Sequence, residues 1–173
     1  MPEWIKAPLV LTLICGLVSA ALVFANDLTA DAIAAAEQAR LQESLRDAFG
    51  EAEYTVPDLQ FDGINQVILD KRGNVIYDIT STGYEKDGQH LLIGLDETGA
   101  VSGICVVSIE DSPTQSAKVQ QDSFLSQFIG WDAPDRSYDA ISGATKSSEG
   151  IPKAVALALQ TDLDNREVIR NAE

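Results

Sequence analysis

The stretch Ser142-Gly143-Ala144-Thr145-Lys146-Ser147 combines the residue types that are best suited to hold an anion. Two small residues, Gly143 and Ala144, let a backbone approach a ligand closely, and the hydroxyl side chains that follow open a predicted helix. Amides at a helix N-terminus lack intrahelical acceptors and lie at the positive end of the helix dipole. The stretch therefore predicts a phosphate site, to which Lys146, and Lys153 if it turns toward the loop, would add positive charge.

The same residues also allow a purely structural interpretation. Ser147 or Ser148 would be an ordinary N-cap, Pro152 would lie in the first helical turn, and Gly143 would serve a turn. Short loops of glycine and hydroxyl residues before helices are common, so local chemistry leaves both interpretations open.

The rest of the chain offers little conventional catalytic chemistry. His90 is the single histidine, and a solvated turn residue is a simpler interpretation of it than a triad member or a metal ligand. Cys15 and Cys105 are isolated, which excludes a disulfide framework and favours two small buried hydrophobes. The sequence predicts no catalytic side chain and no metal site.

The motif at 142–147 resembles the flavinylation motif, Ser/Asp-Gly-Ala-Thr-x-Ser/Thr, of the FMN-binding domain family found in the Rnf and sodium-pumping quinone reductase complexes. The similarity extends to Asn26–Ile33, where the family has Asn-x-x-Thr-x-x-x-Ile, and to Phe124–Phe128 before the motif. The whole chain is similar to the G subunits of Rnf electron-transport complexes. The related C subunit of the sodium-pumping reductase is the second choice.

This resemblance implies a cofactor and its attachment point. In the family, the threonine oxygen carries FMN through a phosphoester that a separate flavin transferase installs from FAD with magnesium. By position, the attachment residue here is Thr145. The implied cofactor-binding residues around it are Ser142, Gly143, Ala144, Lys146, Ser147 and Ser148.

A second family segment, Glu-Thr-Pro-Gly-Leu-Gly, contacts the flavin in relatives and is altered in this chain. The corresponding residues, Asp111–Ser116, keep an acid, a hydroxyl and a proline but lack both glycines and the leucine. Asp111 and Ser112 are thus candidate flavin contacts, and a Ser-Pro turn before a helix is the alternative.

An apolar segment near the N-terminus predicts a membrane span. Ala7–Ala25 is 19 residues without a charge, which as a helix spans roughly 28 Å, close to a bilayer core. Lys6 precedes it and Asp27 follows it, so we expect a single-pass anchor in the cytoplasmic membrane, the N-terminus inside and the acidic domain on the periplasmic side. A signal peptide cleaved after Val23-Phe24-Ala25 is the alternative.

Beyond the anchor, the pattern predicts an α+β domain with an antiparallel sheet flanked by helices. We expect a transmembrane anchor over 1–26, a helical tether and linker over 27–63, in which Thr29 caps a helix ending at Gly50, and an FMN-binding domain over 64–173. Apolar runs at 67–69 and 75–77, and at 91–95 and 101–107, flank glycine-containing turns and predict two hairpins. A helix ending at Gly130, a short strand and a last helix after Ser148 follow.

The net charge of the chain disfavours one class of partner, and the resemblance implies a function. Twelve basic against 27 acidic residues give a net charge of −15, which disfavours nucleic acid as a partner. The resemblance implies an electron-transfer subunit of an ion-translocating ferredoxin:NAD+ oxidoreductase, whose partners are membrane and iron–sulfur or flavin subunits and, for maturation, the flavin transferase. A cofactor-free exported binding module is the competing class.

Overall fold

The computed structural model describes residues 3–110 and 112–172, except for the side chains of residues 3–7. Two compact units are present, Met1–Leu41 and Gln42–Glu173. The elements in chain order are α1 (Glu3–Phe49), β1 (Tyr54–Thr55), β2 (Gln66–Asp70), β3 (Val75–Ser81), β4 (Gln89–Leu95), β5 (Val101–Ile109), α2 (Pro113–Val119), α3 (Asp122–Leu125), a 3-10 turn (Ser126–Phe128) and α4 (Thr145–Arg170).

The N-terminal unit is part of a long apolar helix. Within the described residues, α1 is one helix that is long and apolar enough to cross a membrane. Its large side chains are not packed against the chain: Leu9 is 48% exposed and Phe24 is 67% exposed. This exposed apolar surface makes α1 a candidate membrane span, because so much contiguous apolar area is rare on soluble proteins.

The predicted cap at Thr29 is wrong. Helix α1 continues through this position without a break, and the Thr29 hydroxyl donates hydrogen bonds to the carbonyls of Ala25 (3.0 Å) and Asn26 (3.1 Å). A mid-helix threonine satisfies its hydroxyl in this way, and the alanine-rich sequence that follows has high helix propensity. The anchor and the predicted tether are therefore one helix.

The sheet is a five-stranded antiparallel meander in the order β1 to β5, so the predicted α+β class and both hairpins are confirmed. Gly73 (φ +87°) and Gly99 (φ +88°) occupy the two predicted turns, where a left-handed backbone favours glycine. The two-residue strand β1 was not predicted.

One face of the sheet packs under α4. Alternate residues of β3 and β4 point to this face, including the fully buried Tyr77, Leu91 and Ile93. They meet buried apolar residues of α4, among them Ile151 and Val155. This core fixes α4 across the strands and so determines where its N-terminus lies.

The other face receives the last turn of α1, which belongs to the same compact unit. The Phe49 ring lies over the paired residues Gly94 and Gly103, where a Cβ on either glycine would collide with it. The Tyr54 hydroxyl donates to the carbonyl of Gly50 (2.6 Å), and Arg72 donates to that of Phe49 (2.7 Å). The end of α1 is thus held by side chains that satisfy its terminal carbonyls.

The region before α4 differs from the sequence prediction. The helix expected to end at Gly130 is divided into α2, α3 and the 3-10 turn, although Gly130 does end it with φ +79°. No strand precedes α4 among the described residues 130–144. Helix α4 begins at Thr145, several residues earlier than predicted, which places Pro152 inside the helix rather than in its first turn.

Candidate functional site at the start of helix α4

A tight turn presents Thr145 at the first position of α4. Gly143 has φ +77°, and the amide of Ala144 donates to the carbonyl of Ile141 (3.0 Å), which closes the turn. Ala144 is the N-cap residue and is buried, whereas Thr145 and Lys146 are exposed. The Thr145 hydroxyl is therefore accessible to a reagent, and its backbone is held by the turn.

Neutral side chains of the sheet hold the first turns of α4. The buried Gln89 donates from Nε2 to the Ser147 carbonyl (2.7 Å), and Ser81 donates from Oγ to the Gly150 carbonyl (2.8 Å). A Cβ on Gly150 would overlap the Gln89 side chain, so glycine is needed for this close approach. The helix start is consequently fixed against the ends of β3 and β4.

The two serines predicted at the site have different surroundings. Ser148 donates from Oγ to the Thr145 carbonyl (2.9 Å) and accepts the amide of Ile141 (3.4 Å), so its hydroxyl is used within the loop. Ser147 is 1% exposed, and its Oγ has no hydrogen-bond partner among the residues that the structure describes. Neither serine is the N-cap that the structural interpretation required, because Ala144 takes that position.

Positive charge reaches the loop from a residue that the sequence analysis did not select. Lys118, in the last turn of α2, places Nζ 3.5 Å from the position that a Cβ on Gly143 would take. Lys153 pairs instead with Glu149 (3.7 Å), and Lys146 is exposed. Lys118 is brought to the loop by the packing of α2 against α4, and that contact leaves no signal in the local sequence.

The altered family segment before α2 is only partly described. Asp111 lies outside the described residues. Ser112 is the exposed N-cap residue of α2; its carbonyl accepts from Ser116 Oγ (2.9 Å), and Pro113 follows at the helix start. These contacts fit the Ser-Pro turn interpretation, and a flavin contact by Asp111 or Ser112 stays a prediction.

A polar cluster lies on the face of the sheet away from α4, which corrects the interpretation of His90 as a solvated turn residue. His90 lies in β4 with Nε2 2.6 Å from Asp78 Oδ1, and Asn65 Nδ2 donates to the same oxygen (2.8 Å). Burial raises the pKa of the Asp78 carboxyl, but hydrogen bonds from His90, Asn65 and Gln66 outweigh it and hold the pKa below its usual range. The cluster stabilises the sheet and is separate from the α4 loop.

The donors at the start of α4 fit a phosphate group. The first amides of the helix, the enclosed Ser147 hydroxyl and the Lys118 ammonium are all hydrogen-bond donors, and Gly143 leaves open space beside them except for Lys118 Nζ. Gly143, Ala144 and Thr145 form the turn, Ser148 braces it, and Lys146 adds exposed charge. Ser142 is exposed at the edge of the turn.

The meander sheet, the covering helix and this loop define an α+β domain with hydrogen-bond donors grouped at the N-terminus of its last helix. Residues 83–160 match the model of the FMN-binding domain family, a segment that includes β4, β5, Lys118 and Thr145. This match supports the sequence prediction of an FMN-binding domain in the second half of the chain. No curated protein matches the chain.

Proposed function

We propose that the protein is a membrane-anchored electron-transfer subunit that carries FMN esterified to Thr145. The observation that carries the proposal is an exposed threonine hydroxyl at the first position of α4, inside the segment that matches the FMN-binding domain family. The motif at 142–147 favours covalent rather than reversible attachment. Its similarity to Rnf G subunits supports the proposal that this subunit works in an ion-translocating ferredoxin:NAD+ oxidoreductase.

The attachment reaction transfers the FMN group of FAD, through its phosphorus, to the threonine oxygen. Thr145 Oγ attacks the flavin-side phosphorus of FAD, which a separate flavin transferase supplies with magnesium. One oxygen–phosphorus bond forms, the pyrophosphate bond breaks, AMP leaves, and the hydroxyl proton is released. No oxidation is involved. This chain has to present the hydroxyl, and the exposed position of Thr145 meets that requirement.

Once attached, the flavin supplies the redox chemistry and the chain supplies position and charge. The first helix amides after Ala144 lie beside Thr145 and would donate hydrogen bonds to a phosphate attached there. Lys146 contributes exposed positive charge there. No side chain of this domain is required to act as an acid or base on a substrate.

The apolar helix α1 is the basis for the proposed location of the protein and for its proposed partner subunits. Helix α1 would cross the cytoplasmic membrane once, with the flavin domain on the periplasmic side. The small exposed residues on it that would allow close packing of helices from integral-membrane subunits are Gly16, Ser19, Ala20 and Ala21. Iron–sulfur and flavin subunits of the same complex would exchange electrons with the domain.

The full chain, co-expressed with a flavin transferase, tests the proposal by intact mass and by flavin fluorescence after denaturing electrophoresis. We expect the mass of the wild-type chain to increase by the mass of one FMN minus one water. Thr145→Ala should show no increase, whereas Thr145→Ser keeps a hydroxyl acceptor and should still become loaded. Thr55→Ala, which alters an exposed threonine in β1, is the matched control and should load fully. A wild-type chain that remains at its sequence mass would contradict the proposal and favour the binding module.

A second measurement separates Rnf membership from membership of a sodium-pumping quinone reductase. Affinity purification of the loaded chain from its native membrane should recover iron–sulfur subunits of a ferredoxin oxidoreductase. Recovery of quinone reductase subunits instead would leave the flavin assignment intact and change the complex.

A further inference from the structure

We propose that Lys118 is the cation that positions the phosphate on Thr145. This inference rests on the proposed function, because it assigns the residues that hold the phosphate of the attached flavin. It adds a residue from outside the motif, on a different helix.

The geometry places the ammonium group at the open side of the turn. Lys118 Nζ lies 3.5 Å from the position that a Cβ on Gly143 would occupy, and no other described atom, apart from the turn's own neighbours, lies within 4 Å of that position. Only Ala144 separates Gly143 from Thr145 in the chain. A phosphate on Thr145 therefore lies within reach of a flexible lysine that already faces the turn.

The charge environment of Lys118 supports the assignment. The chain has 27 acidic and 12 basic residues, and Lys71 and Lys153 pair with Glu53 and Glu149, respectively. Within the described part of the chain, Lys118 forms no ion pair although it is half-buried. Withdrawing an ammonium from water without a carboxylate costs free energy, which an anionic ligand would recover.

Ser147 provides an independent indication that the site holds a ligand. Its side chain is 1% exposed, and its Oγ has no hydrogen-bond partner among the described residues. In a helix, the Cα–Cβ bond tilts toward the N-terminus, and a side chain at the third helical position, as Ser147 is, can reach back toward the N-cap residue, here Ala144. A buried hydroxyl without a partner is costly, and a phosphate oxygen on Thr145 would accept its hydrogen bond.

Amine footprinting of the full chain in detergent tests the contact directly. Acetylation by acetic anhydride is compared between the FMN-loaded chain and the unloaded chain made without transferase, and read by peptide mass spectrometry. A charge-assisted contact should reduce acetylation of Lys118 by at least about fivefold on loading. Lys86, whose side chain is 88% exposed, is the internal control and should react equally in both forms. Equal reactivity of Lys118 in the two forms would overturn the inference.

The rate of covalent loading gives a second readout. Lys118→Gln should slow loading by the transferase about tenfold, because a charged donor to phosphate is lost. Lys118→Arg keeps the charge and should restore most of the rate, and Lys86→Gln should leave it unchanged. If Lys118→Gln does not fold, the footprint on the native chain still decides the question.

The outcomes separate the two proposals. A wild-type chain that never acquires FMN overturns both the attachment at Thr145 and the role of Lys118. A wild-type chain that loads normally while Lys118 stays reactive, or one whose Lys118→Gln variant loads at the wild-type rate, overturns only the role of Lys118.

Discussion

The two ends of helix α4 are held by different chemistry. At its start, neutral groups make the contacts: the amide of Gln89 reaches the Ser147 carbonyl (2.7 Å), and the Ser81 hydroxyl reaches that of Gly150 (2.8 Å). In its second half, the buried Asp162 accepts two hydrogen bonds from Arg166 (2.8 and 2.6 Å) and one from the Tyr77 hydroxyl (3.2 Å).

The difference lies in which polar groups remain available. The Asp162 oxygens are both used within the domain, and burial together with Asp162 raises the pKa of the Tyr77 hydroxyl, which keeps it protonated. Arg170 also bonds the carbonyls of Gly73 (3.3 Å) and Asp96 (2.9 Å) in the two hairpin turns. At the start of α4, by contrast, the Ser147 hydroxyl has no partner among the described residues, and the proposed flavin phosphate would lie at this end. One helix thus combines a structural end and a proposed binding end.

The largest effect on folding is expected at the structural end. Asp162→Ala removes the acceptor for Arg166 and Tyr77 and leaves both donors without a carboxylate. We expect a loss of about 2–4 kcal/mol in the free energy of unfolding, since one partner of a buried pair is deleted. Urea unfolding of the full chain in detergent, followed by tryptophan fluorescence, measures it.

Thr145→Ala is the matched variant for that measurement. It truncates an exposed side chain at the other end of the same helix, so we expect it to change the free energy of unfolding by less than about 0.5 kcal/mol. Equal losses in Asp162→Ala and Thr145→Ala would contradict the division of α4 into a structural end and a binding end.

The binding end was more predictable from sequence than the structural end. Thr145 and its neighbours form a contiguous motif, and the two hairpins follow from apolar runs around Gly73 and Gly99, so local signals were sufficient. Tyr77 and Asp162 are 85 residues apart, and no local pattern pairs them. Lys118 was missed for the same reason, because its place beside Gly143 depends on how α2 packs on α4.

Errors at element boundaries have equally physical causes. The sequence predicts a helix cap at Thr29 because threonine is common at that position, but its hydroxyl donates to a carbonyl one turn earlier within a continuous helix. The sequence predicts the start of α4 after Ser148 because the helical spacing of apolar residues begins there, at Ile151 and Val155. Packing of the buried Ile151 and Val155 on the sheet, together with the contact of Gln89 to Ser147, extends the helix to Thr145.

An intermediate loss of stability is expected for Gly150→Ala, where the start of α4 packs against the sheet. Gly150→Ala would place a Cβ on the Gln89 side chain, which is fully buried and cannot turn into solvent. Overpacking should cost about 1–3 kcal/mol in the free energy of unfolding. Because the start of α4 must shift, covalent flavin loading of Thr145 should also slow. Both quantities are read on one preparation, by urea unfolding and by intact mass after timed exposure to the transferase.

Glu149→Ala is the control for Gly150→Ala. It leaves an alanine one residue earlier without adding a Cβ, at a half-buried position whose ion pair with Lys153 is long (3.7 Å). Its effect should stay within about 0.5 kcal/mol, as for a partly exposed pair. If Gly150→Ala behaves like Glu149→Ala in both measurements, the contact with Gln89 does not position the helix start.

The smallest effect expected is a dependence of stability on pH at the structural end. Burial raises the pKa of the Asp70 carboxyl, but hydrogen bonds from Arg72 and Asn74 more than offset it and hold the pKa below its usual range. A carboxyl with a lowered pKa stabilises the fold fully above its unfolded-state pKa, and this stabilisation is lost as pH falls through the lower folded-state value. Asp70 lies in the hairpin turn that Arg170 contacts at Gly73, so protonation weakens the support of the C-terminal end of α4.

Unfolding free energies of the full chain, measured from pH 7 down to pH 2.5, separate the two ends of α4. Asp70→Asn should be less stable than wild type at pH 7, and the difference should shrink in acid because wild-type Asp70 also loses its charge. Thr145→Ala should run parallel to wild type at every pH, since the contacts at the start of α4 are made by amides and hydroxyls that do not titrate there. The contrary result is a difference in the free energy of unfolding between Asp70→Asn and wild type that stays constant across this pH range. The charge on Asp70 would then contribute nothing to stability, and the two ends of α4 would differ in packing rather than in ionised groups.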